Sequence, residues 1–418
     1  MPKAETPSLF AAAPLPVAKL AHAEVLACLR LIRTENVGPV AFRELINTYG
    51  GAARAINALT DIARRAGSRR QIRVFPADAA EAELEAAARA GSEPVFTIEP
   101  GYPAALAAIE APPPLIYIKG QRSVLQMPSV AIVGSRQCSA AGAKVAALFA
   151  QGLGTAGFVV ASGLARGIDG AAHRAALATG TIAVLAGGID VLYPPEHDAL
   201  YQAIAERGCL ISERPPGFRP RGQDFPRRNR IISGVSLGVI VVEAAARSGT
   251  LVTARYANEQ GRDVFAVPGH PLDPRAEGTN RLIKSGATLV TSADDVIEAL
   301  EPLLGLRETA AKLNWQQGTQ WSRSNDGEPY SGDGAAQRTA EFERDVFERD
   351  VSVEQTDVQQ VLQSLGPAPI DIDAILSATG LSARLVHIAL MELDIAGHIA
   401  RPGPGLIARK DVGPEFDA

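Results

Sequence analysis

An alternation of short apolar strands and helices constrains the fold of this chain more than any other feature of its sequence. Between residues 94 and 303, segments such as SVAIVGSR, FVVASGLA and LGVIVVEA have an apolar core and end in glycine or polar residues. Helical stretches separate most of these segments. Apolar strand cores that alternate with helices predict a parallel sheet covered on both faces. We therefore expect an α/β core with a mostly parallel sheet over residues 94–303.

The regions on either side of this core have different patterns. Residues 1–17 are rich in alanine and proline and predict a disordered lead, whereas residues 18–90 have apolar positions at helical spacing and predict a helical domain. Residues 304–352 lose this periodicity and become acidic, which is typical of a flexible linker. Residues 353–410 contain three helical segments and then a short wing, the pattern of a winged-helix domain.

Composition excludes several classes of protein. The formal net charge of the 418 residues is −5, and 46% of them are hydrophobic, which fits a globular protein with an ample core. Because no apolar stretch of about 18 residues occurs, we expect neither a signal peptide nor a membrane span. Cys28, Cys138 and Cys209 lie far apart, which argues against a zinc site or a disulfide framework and favours a reducing cytoplasm.

The segment 219–230 reverses the sign of the charge locally. It contains a single acid, Asp224, among five arginines. Such a run is often only a solvated face, but here Ile231 and Ile232 follow at once and connect it to the core. A dense cluster of guanidinium groups predicts a site for a polyanion. Asn229 within the run offers both a donor and an acceptor, which suits the edge of a base or a sugar.

Glycine and hydroxyl residues follow several of the predicted strands. Gly134-Ser135-Arg136, Ser162-Gly163 and Gly187-Gly188 end three of them, and Ser248-Gly249-Thr250 opens the helix after a fourth. Backbone amides at such turns and at helix N-termini bind anions. In open α/β sheets, ligands bind at the carboxyl ends of the strands. We therefore expect these loops to form one binding site.

The same loops lack the motifs of a nucleotide cofactor site. The first loop is GSRQCSAAG rather than GxGxxG, and GxxxxGK[ST] does not occur in the chain. Asp169 is placed to cap a helix, and His173 has no evident nucleophile as a partner, so we interpret His173 as structural. We expect no cofactor and no metal.

Taken in order, the motifs between residues 94 and 300 resemble those of the DNA-processing protein A (DprA/Smf) family. They are GSR, SGxAxGID, FPxRNRIIxGxS, VVEAxxxSGTLxTAxxAxxxGR, VFAVPG and GTNxLIxxGA. One departure is the sequence YPPEH at residues 193–197, where the family usually has an asparagine near the position of His197. The flanks resemble the helical SAM-like, helix-hairpin-helix-like N-terminal domain and the C-terminal winged-helix domain found in family members.

This resemblance implies a fold and a function. The fold would be a Rossmann-like core, and the protein would be a cytoplasmic homodimer without catalytic turnover and without contact to a membrane. It would bind and protect incoming single-stranded DNA and load the strand-exchange recombinase onto it during natural transformation. The DNA pocket would use Ser135, Arg136, Ser162, Gly163 and the basic run Arg227, Arg228 and Arg230.

We therefore predict a groove at the carboxyl edge of the sheet that holds phosphates through arginines and loop amides. Such a groove has little sequence preference, and Phe225 is its nearest candidate for base stacking. The predicted groove residues are Ser135, Arg136, Ser162, Gly163, Arg166, Gly187, Gly188, Phe225, Arg227, Arg228, Asn229, Arg230, Ser248, Gly249, Thr250, Asn280 and Lys284.

Two other functions fit parts of the sequence. Ser248-Gly249-Thr250 looks like the core of the PGGxGTxxE loop of nucleotide monophosphate phosphoribohydrolases, but Thr253 stands where that enzyme needs its carboxylate. The winged helix could belong to a transcription regulator, but its third helix, SARLVHIALMELDIAGHI, has few basic groups. For that domain we prefer a protein-contact or structural role.

Overall fold

The structure is a computed structural model, and the residues it describes form two compact units. The first unit contains the described residues up to Ile32 together with Phe75–Pro302, and the second contains Arg33–Val74 together with the residues from Leu303 onward. The predicted lead and the predicted linker lie outside the described residues. The described residues are 19–65, 72–303, 355–366, 368–403 and 405–410.

The N-terminal region is helical, as its apolar spacing predicts. Pro39 occupies the first turn of the second helix, where its missing N–H is not needed, and Gly50 ends that helix in the left-handed conformation with φ 66°. The fourth helix and nearly all of the first belong to the first unit, whereas the second and third belong to the second unit. The four helices are α1 (His22–Arg33), α2 (Pro39–Tyr49), α3 (Ala52–Arg65) and α4 (Ala77–Arg89).

A nine-stranded sheet lies at the centre of the first unit. Its order is β1-β2-β6-β5-β4-β3-β7-β8-β9. The strands from β6 to β9 along this order pair in parallel, whereas β2 pairs antiparallel with both β1 and β6. The strands are β1 (Glu93–Phe96), β2 (Leu115–Gly120), β3 (Ser129–Val133), β4 (Val159–Ser162), β5 (Thr181–Val184), β6 (Cys209–Ser212), β7 (Gly238–Val241), β8 (Asp263–Ala266) and β9 (Thr288–Leu289).

The predicted mostly parallel sheet is confirmed, and the structure adds an antiparallel edge. Strand β1 has no signal in the sequence pattern, because its four residues EPVF include a proline and show no alternation. Proline is tolerated there because β1 is an edge strand. Every residue of β3, β4, β5, β6 and β7 is buried, as expected for strands covered on both faces.

Seven helices follow the strands of this unit, and residues 293–303 are also helical. Residues 224–230 of the arginine-rich segment form the first part of one of these helices, and residues 219–223 precede it. Its residues therefore point in different directions rather than along one surface, because successive residues of an α-helix are rotated by about 100°. The helices are α5 (Ala104–Ala107), α6 (Ala140–Thr155), α7 (Ile168–Ala176), α8 (Asp198–Arg207), α9 (Asp224–Val235), α10 (Thr250–Glu259) and α11 (Glu277–Lys284).

The strand order defines a topological switch point between β3 and β7. From β3 the chain continues outward to β4 and β5 on one side, and β7, β8 and β9 lie on the other side. The order β5-β4-β3-β7-β8-β9 is that of a Rossmann-type sheet, with β6 added beyond β5. The connections that leave the carboxyl ends of β3 and β7 run in opposite directions, which opens a crevice between them.

His173 joins α7 to the sheet inside this unit. Its Nδ1 lies 2.7 Å from the hydroxyl oxygen of Thr181, which itself donates to the carbonyl of Val160 over 2.7 Å. The hydroxyl therefore accepts from Nδ1–H, and the buried Nε2 has no hydrogen-bond partner within the described residues. Burial, together with smaller effects of neighbouring positive charge, lowers the pKa of His173 to about 3.

We expect the first unit to lose stability through His173 as the pH falls. Because the ordinary pKa is 6.5 and the folded pKa is about 3, the unfolded chain binds a proton in this interval that the folded chain does not. The contribution of His173 to the free energy of unfolding is complete above pH 6.5 and decreases by at most about 1.4 kcal/mol per pH unit below that value. Urea unfolding between pH 7 and 5 should show this slope, and a folded His173→Gln variant with the same slope would contradict it.

The C-terminal region of the second unit contains three helices and a small sheet, and the predicted winged-helix pattern is confirmed. The carboxylate of Asp371 accepts from Ala374 N over 2.7 Å and caps the second of these helices, which ends at Gly380 with φ 67°. Ser382 caps the third helix. The elements are α12 (Gln355–Ser364), α13 (Ile372–Thr379), α14 (Ala383–Ile395) and the sheet β10 (Ile370–Asp371), β12 (Leu406–Arg409), β11 (Ile399–Gly403) in that order.

Helix α14 is covered on most of its surface. It packs against α12 and α13, and also against α2 and α3 of the same unit. The Asn36 side chain donates to the carbonyl of Ile395 over 3.2 Å at the end of this contact. Within the described part of the chain, no single helix is long and apolar enough to span a membrane; α13 and α14 pass such a test only as a pair, and they are bent by 111°.

Candidate functional site

A cavity of about 1060 Å³ opens at the carboxyl ends of β3 and β7. The loop Val133–Gln137 after β3, the beginning of α9 and the turn before α10 form its walls. It therefore occupies the crevice that the strand order creates, at the edge where the sequence predicts the site.

The structure brings about half of the predicted groove residues to this cavity. Those that line it are Ser135, Arg136, Arg166, Phe225, Arg228, Asn229, Ser248, Gly249 and Thr250. Those that do not line it are Ser162, Gly163, Gly187, Gly188, Arg227, Arg230, Asn280 and Lys284.

Close contacts between neighbouring loops hold the β3 loop in place. Gly167 has φ 73°, and a Cβ atom there would lie 2.2 Å from the carbonyl oxygen of Ser135. Ile168 N donates to the same carbonyl over 3.2 Å. On the other side, the hydroxyl of Thr250 donates to the carbonyl of Gly134 over 3.0 Å. The loop that carries Arg136 is therefore attached to both α7 and α10.

Two aromatic rings and one guanidinium group form a cluster that we call the aromatic lip (Arg136, Tyr193 and Phe225). The guanidinium of Arg136 lies 5.2 Å from the centroid of the Phe225 ring, within the range of a cation–π contact. The Tyr193 ring lies 5.2 Å from the Phe225 ring at 61°. Tyr193 is 44% exposed and lines the cavity. Sequence reasoning missed Tyr193, although it lies in the YPPEH segment that departs from the family pattern.

Arg228 supports the floor of the cavity from inside the protein. It is 5% exposed, and its Nη1 donates to the carbonyl of Gly163 over 2.7 Å and to the carbonyl of Val184. Burial lowers the pKa of Arg228 to about 10, an effect that the charge of Asp169 opposes. The guanidinium thus connects the carboxyl ends of β4 and β5.

Asp169 completes this buried arrangement. Its carboxylate accepts from Gly163 N and Ala165 N, each over 3.2 Å. Burial raises the pKa of Asp169, and the nearby charge of Arg228 lowers it in part. The amide of Gly163 is therefore held by the carboxylate of Asp169, and its carbonyl is held by the guanidinium of Arg228. Asp169 is the second residue of α7 and binds the preceding loop rather than capping the helix as the sequence predicts.

The other two arginines of the predicted run lie outside the cavity. Arg227 is exposed, with Nε 3.4 Å from a carboxylate oxygen of Glu213. Arg230 pairs with the same carboxylate and donates to the carbonyl of Ala111 over 3.2 Å. Helix α9 thus directs one of the three arginines into the core and the other two towards Glu213. That Arg227 and Arg230 contact DNA stays a prediction.

The strand ends of β4 and β5 use their polar groups within the protein. The hydroxyl of Ser162 donates to Ile132 O over 2.6 Å, and the amide of Gly163 is held by Asp169. The carbonyl of Gly187 accepts from a serine hydroxyl over 2.6 Å, and Gly188 N donates to Phe218 O over 2.8 Å. These groups shape the floor and are not open to a ligand in this structure.

The remaining predicted residues lie near α11. The side-chain amide of Asn280 donates to Gly269 O over 3.0 Å and accepts from Gly269 N over 3.2 Å, so it holds the loop after β8. Lys284 is exposed at the end of α11. Neither lines the cavity.

Most backbone amides of the turn before α10 already donate hydrogen bonds within the protein. Ser248 N donates to Ala245 O over 3.0 Å, Thr250 N to the hydroxyl of Ser248 over 3.2 Å, and Leu251 N to Ser248 O over 3.1 Å. Of the three amides at Ser248-Gly249-Thr250, only that of Gly249 has no acceptor within the residues the structure describes. The predicted anion cradle therefore offers one amide, and the side-chain amide of Asn229 donates to the carbonyl of Gly249 over 3.3 Å.

Positive charge nevertheless dominates the cavity. Four arginines line it against one acid, Asp169. Arg166 pairs with Glu196, whereas Arg247 is exposed and has no ion pair within the described ranges. Sequence reasoning missed Arg247, although its position directly before Ser248-Gly249-Thr250 is a usable signal.

Fold and cavity together define an α/β protein with an open Rossmann-like sheet and a cationic, aromatic-edged site at its switch point. Comparison with protein families specifies this class further. The family model of DNA recombination-mediator protein A matches residues 93–301. Models of the DprA-like N-terminal HHH domain and of the DprA winged helix domain match residues 22–86 and 349–403. The chain belongs to the DprA/Smf family.

Individual relatives agree with this assignment. Protein Smf of Escherichia coli is 38% identical over 310 residues, which cover 73% of this chain and 74% of that protein. DNA processing protein DprA of Streptococcus pneumoniae is 48% identical over 211 residues, covering 50% of this chain and 74% of that protein. The X-ray structure of DprA from Streptococcus pneumoniae superposes with a TM-score of 0.58 at 38% identity, covering 67% of this chain and 98% of that one.

The contrast between Arg228 and Arg227 gives a direct test of this geometry. We expect Arg228→Ala to lower the free energy of unfolding by about 2–5 kcal/mol, because it removes a donor from two carbonyls and leaves the buried Asp169 without its opposing charge. Arg227→Ala should lower the free energy of unfolding by less than about 1 kcal/mol, because the Arg227 side chain is exposed and Arg230 still pairs with Glu213. Urea unfolding of both variants measures this, and equal losses would show that the burial of Arg228 has no structural role.

Proposed function

We propose that this chain binds single-stranded DNA in the cavity at the switch point and presents it for recombination. Family membership establishes that the chain is a DNA-processing protein of the recombination-mediator type. The observation that supports the finer proposal is the combination, in one cavity, of four arginines and an exposed aromatic lip.

The arginines supply the affinity in this proposal. Arg136 and Arg247 are exposed at the cavity, and Gly249, whose amide is free among the described residues, also lines it. Each of these groups can donate to a phosphate oxygen. Guanidinium groups bind phosphate through charge-assisted hydrogen bonds and carry little sequence information. Arg228 contributes its charge from below the surface, without direct contact.

The aromatic lip favours a single strand over a duplex. Phe225 and Tyr193 can stack only on a base whose face is exposed, and bases in a duplex are already stacked on their neighbours. Because every base has such a face, we expect the preference among bases to be weak. The guanidinium of Arg136 over Phe225 would contact a phosphate next to the stacked base.

The C-terminal domain gives little support to duplex recognition. A winged helix reads the major groove with its third helix, but α14 is covered by α12, α13, α2 and α3. Its exposed basic or near-basic side chains are Arg384 and His387 at the first turns. We propose that this domain is a packing partner of the N-terminal helices rather than the reader of a transcription regulator.

We also propose that the chain acts without turnover. Asp169, the one acid among the residues lining the cavity, is buried and accepts two backbone amides. Thr253, which stands at the carboxylate position of the phosphoribohydrolase loop, lines the cavity but cannot act as an ionised base at neutral pH. Release of adenine from AMP by the purified protein would restore the enzyme alternative.

Further parts of the proposal concern partners. We propose that the protein is a cytoplasmic homodimer that protects incoming single strands and loads the strand-exchange recombinase in natural transformation. A cavity of this size holds few nucleotides, and two linked cavities on one strand raise the effective affinity. Faster recombinase filament assembly on single-stranded DNA in the presence of this protein would support the loading role, and no effect would remove it.

We expect binding to a fluorescent oligo-dT to weaken steeply with salt, because phosphate contacts release counterions. Arg136→Ala and Arg247→Ala should each weaken binding about ten-fold at low salt and reduce the slope of log K against log salt by about 0.7. Fluorescence anisotropy across a salt series measures both quantities.

Arg255→Ala is the matched control for these variants. Arg255 is an exposed arginine on α10 that pairs with Glu259 and does not line the cavity. The Arg255→Ala variant should leave the slope of log K against log salt unchanged. A flat salt response of the unmodified protein, or equal effects at Arg255 and Arg136, would reject the cavity as the phosphate site.

A further inference from the structure

One of the four cavity arginines is already engaged by a carboxylate. The Nε of Arg166 donates to Glu196, and both residues belong to the first unit. Arg166 lines the cavity beside Tyr193 and Pro194, whereas Glu196 does not line it. The carboxylate therefore approaches Arg166 at the border of the cavity.

The other three arginines are held differently. Arg228 donates to backbone carbonyls, and Arg136 lies over the ring of Phe225. Arg247 is exposed without an ion pair in the part of the chain that the structure describes. Among the four arginines that line the cavity, Arg166 is thus the one whose guanidinium forms an ion pair with a carboxylate.

The fold does not need this pair. The side chains of Arg166 and Glu196 are 57% and 46% exposed, and an ion pair at such exposure contributes little to stability. The hydrogen bond from Arg166 and its charge lower the pKa of Glu196, so the carboxylate is ionised at neutral pH. An ionised carboxylate presents the same kind of acceptor oxygens to a guanidinium as a phosphate does.

We propose that Glu196 limits the affinity of the site by competing with the DNA phosphate for Arg166. On binding, a phosphate oxygen replaces the carboxylate, and Glu196 moves into solvent, where it is already half exposed. This role rests on the proposed function, because it requires an anionic ligand in the cavity. Glu196 would then be a residue that sets the affinity of the site, although it belongs to none of the sequence motifs.

Neutralising Glu196 should therefore strengthen binding. We expect Glu196→Gln to tighten binding of oligo-dT by about two- to five-fold at low salt, the range that an exposed ion pair of this kind is worth. The slope of log K against log salt should change little, because a phosphate contacts Arg166 in the bound state of both proteins. Unchanged circular dichroism and melting temperature would show that the variant is folded.

Asp198→Asn is the matched control. Asp198 is an exposed acid two residues away, at the start of α8, and it neither lines the cavity nor pairs with Arg166. Removing it changes the net charge by the same amount as Glu196→Gln. If binding tightens equally in both variants, general electrostatics explains the gain and the proposal is overturned.

A double-mutant cycle with Arg166→Ala separates the pair from its surroundings. If Glu196 acts through Arg166, the gain from Glu196→Gln should disappear in the Arg166→Ala background. A gain of the same size in that background would overturn the proposal. Normal binding by the unmodified protein with no gain in Glu196→Gln would refute the role of Glu196 alone, whereas no binding by the unmodified protein would refute the proposed function as well.

Discussion

Parallel pairing of β3 with β4 on one side and β7 on the other is the constraint on which the site depends. The connections that leave β3 and β7 must run in opposite directions, so a crevice opens between the carboxyl ends of these two strands. This divergence leaves the space that the polar groups of the cavity line. The loop after β3 supplies Arg136, and the turn before α10 supplies Arg247 from the other side.

Buried charge keeps this opening in shape. Asp169 holds amides of the β4 loop, and Arg228 holds carbonyls at the ends of β4 and β5. Both groups lose hydration, and each partly compensates the other through its charge. The result is a rigid floor, above which the more exposed Arg136, Arg166 and Arg247 can respond to a ligand. The site thus separates arginines that support it from arginines that are accessible.

In the second unit, packing buries the helix that a winged-helix domain usually uses to contact DNA. Its C-terminal part has the helices and strands of a winged helix, and Asp371, Gly380 and Ser382 begin and end the helices as local rules require. Yet α14 is apolar on most faces, and α2 and α3 cover it. A helix that elsewhere reads DNA is here part of a hydrophobic core, which explains its shortage of basic side chains.

Local sequence alone determined most of the strands and helices, the parallel core and the edge of the sheet at which the site lies. These follow from periodicity, glycine and caps, which act between near neighbours. Tertiary structure decided which side chains reach that edge. The rotation of α9 buries Arg228 and directs Arg227 and Arg230 to Glu213. Chain folding also brings Tyr193 and Arg247 to the cavity, although the sequence motifs predicted neither residue there. Side-chain direction and long-range contact depend on the whole fold, so spacing along the chain does not reveal them.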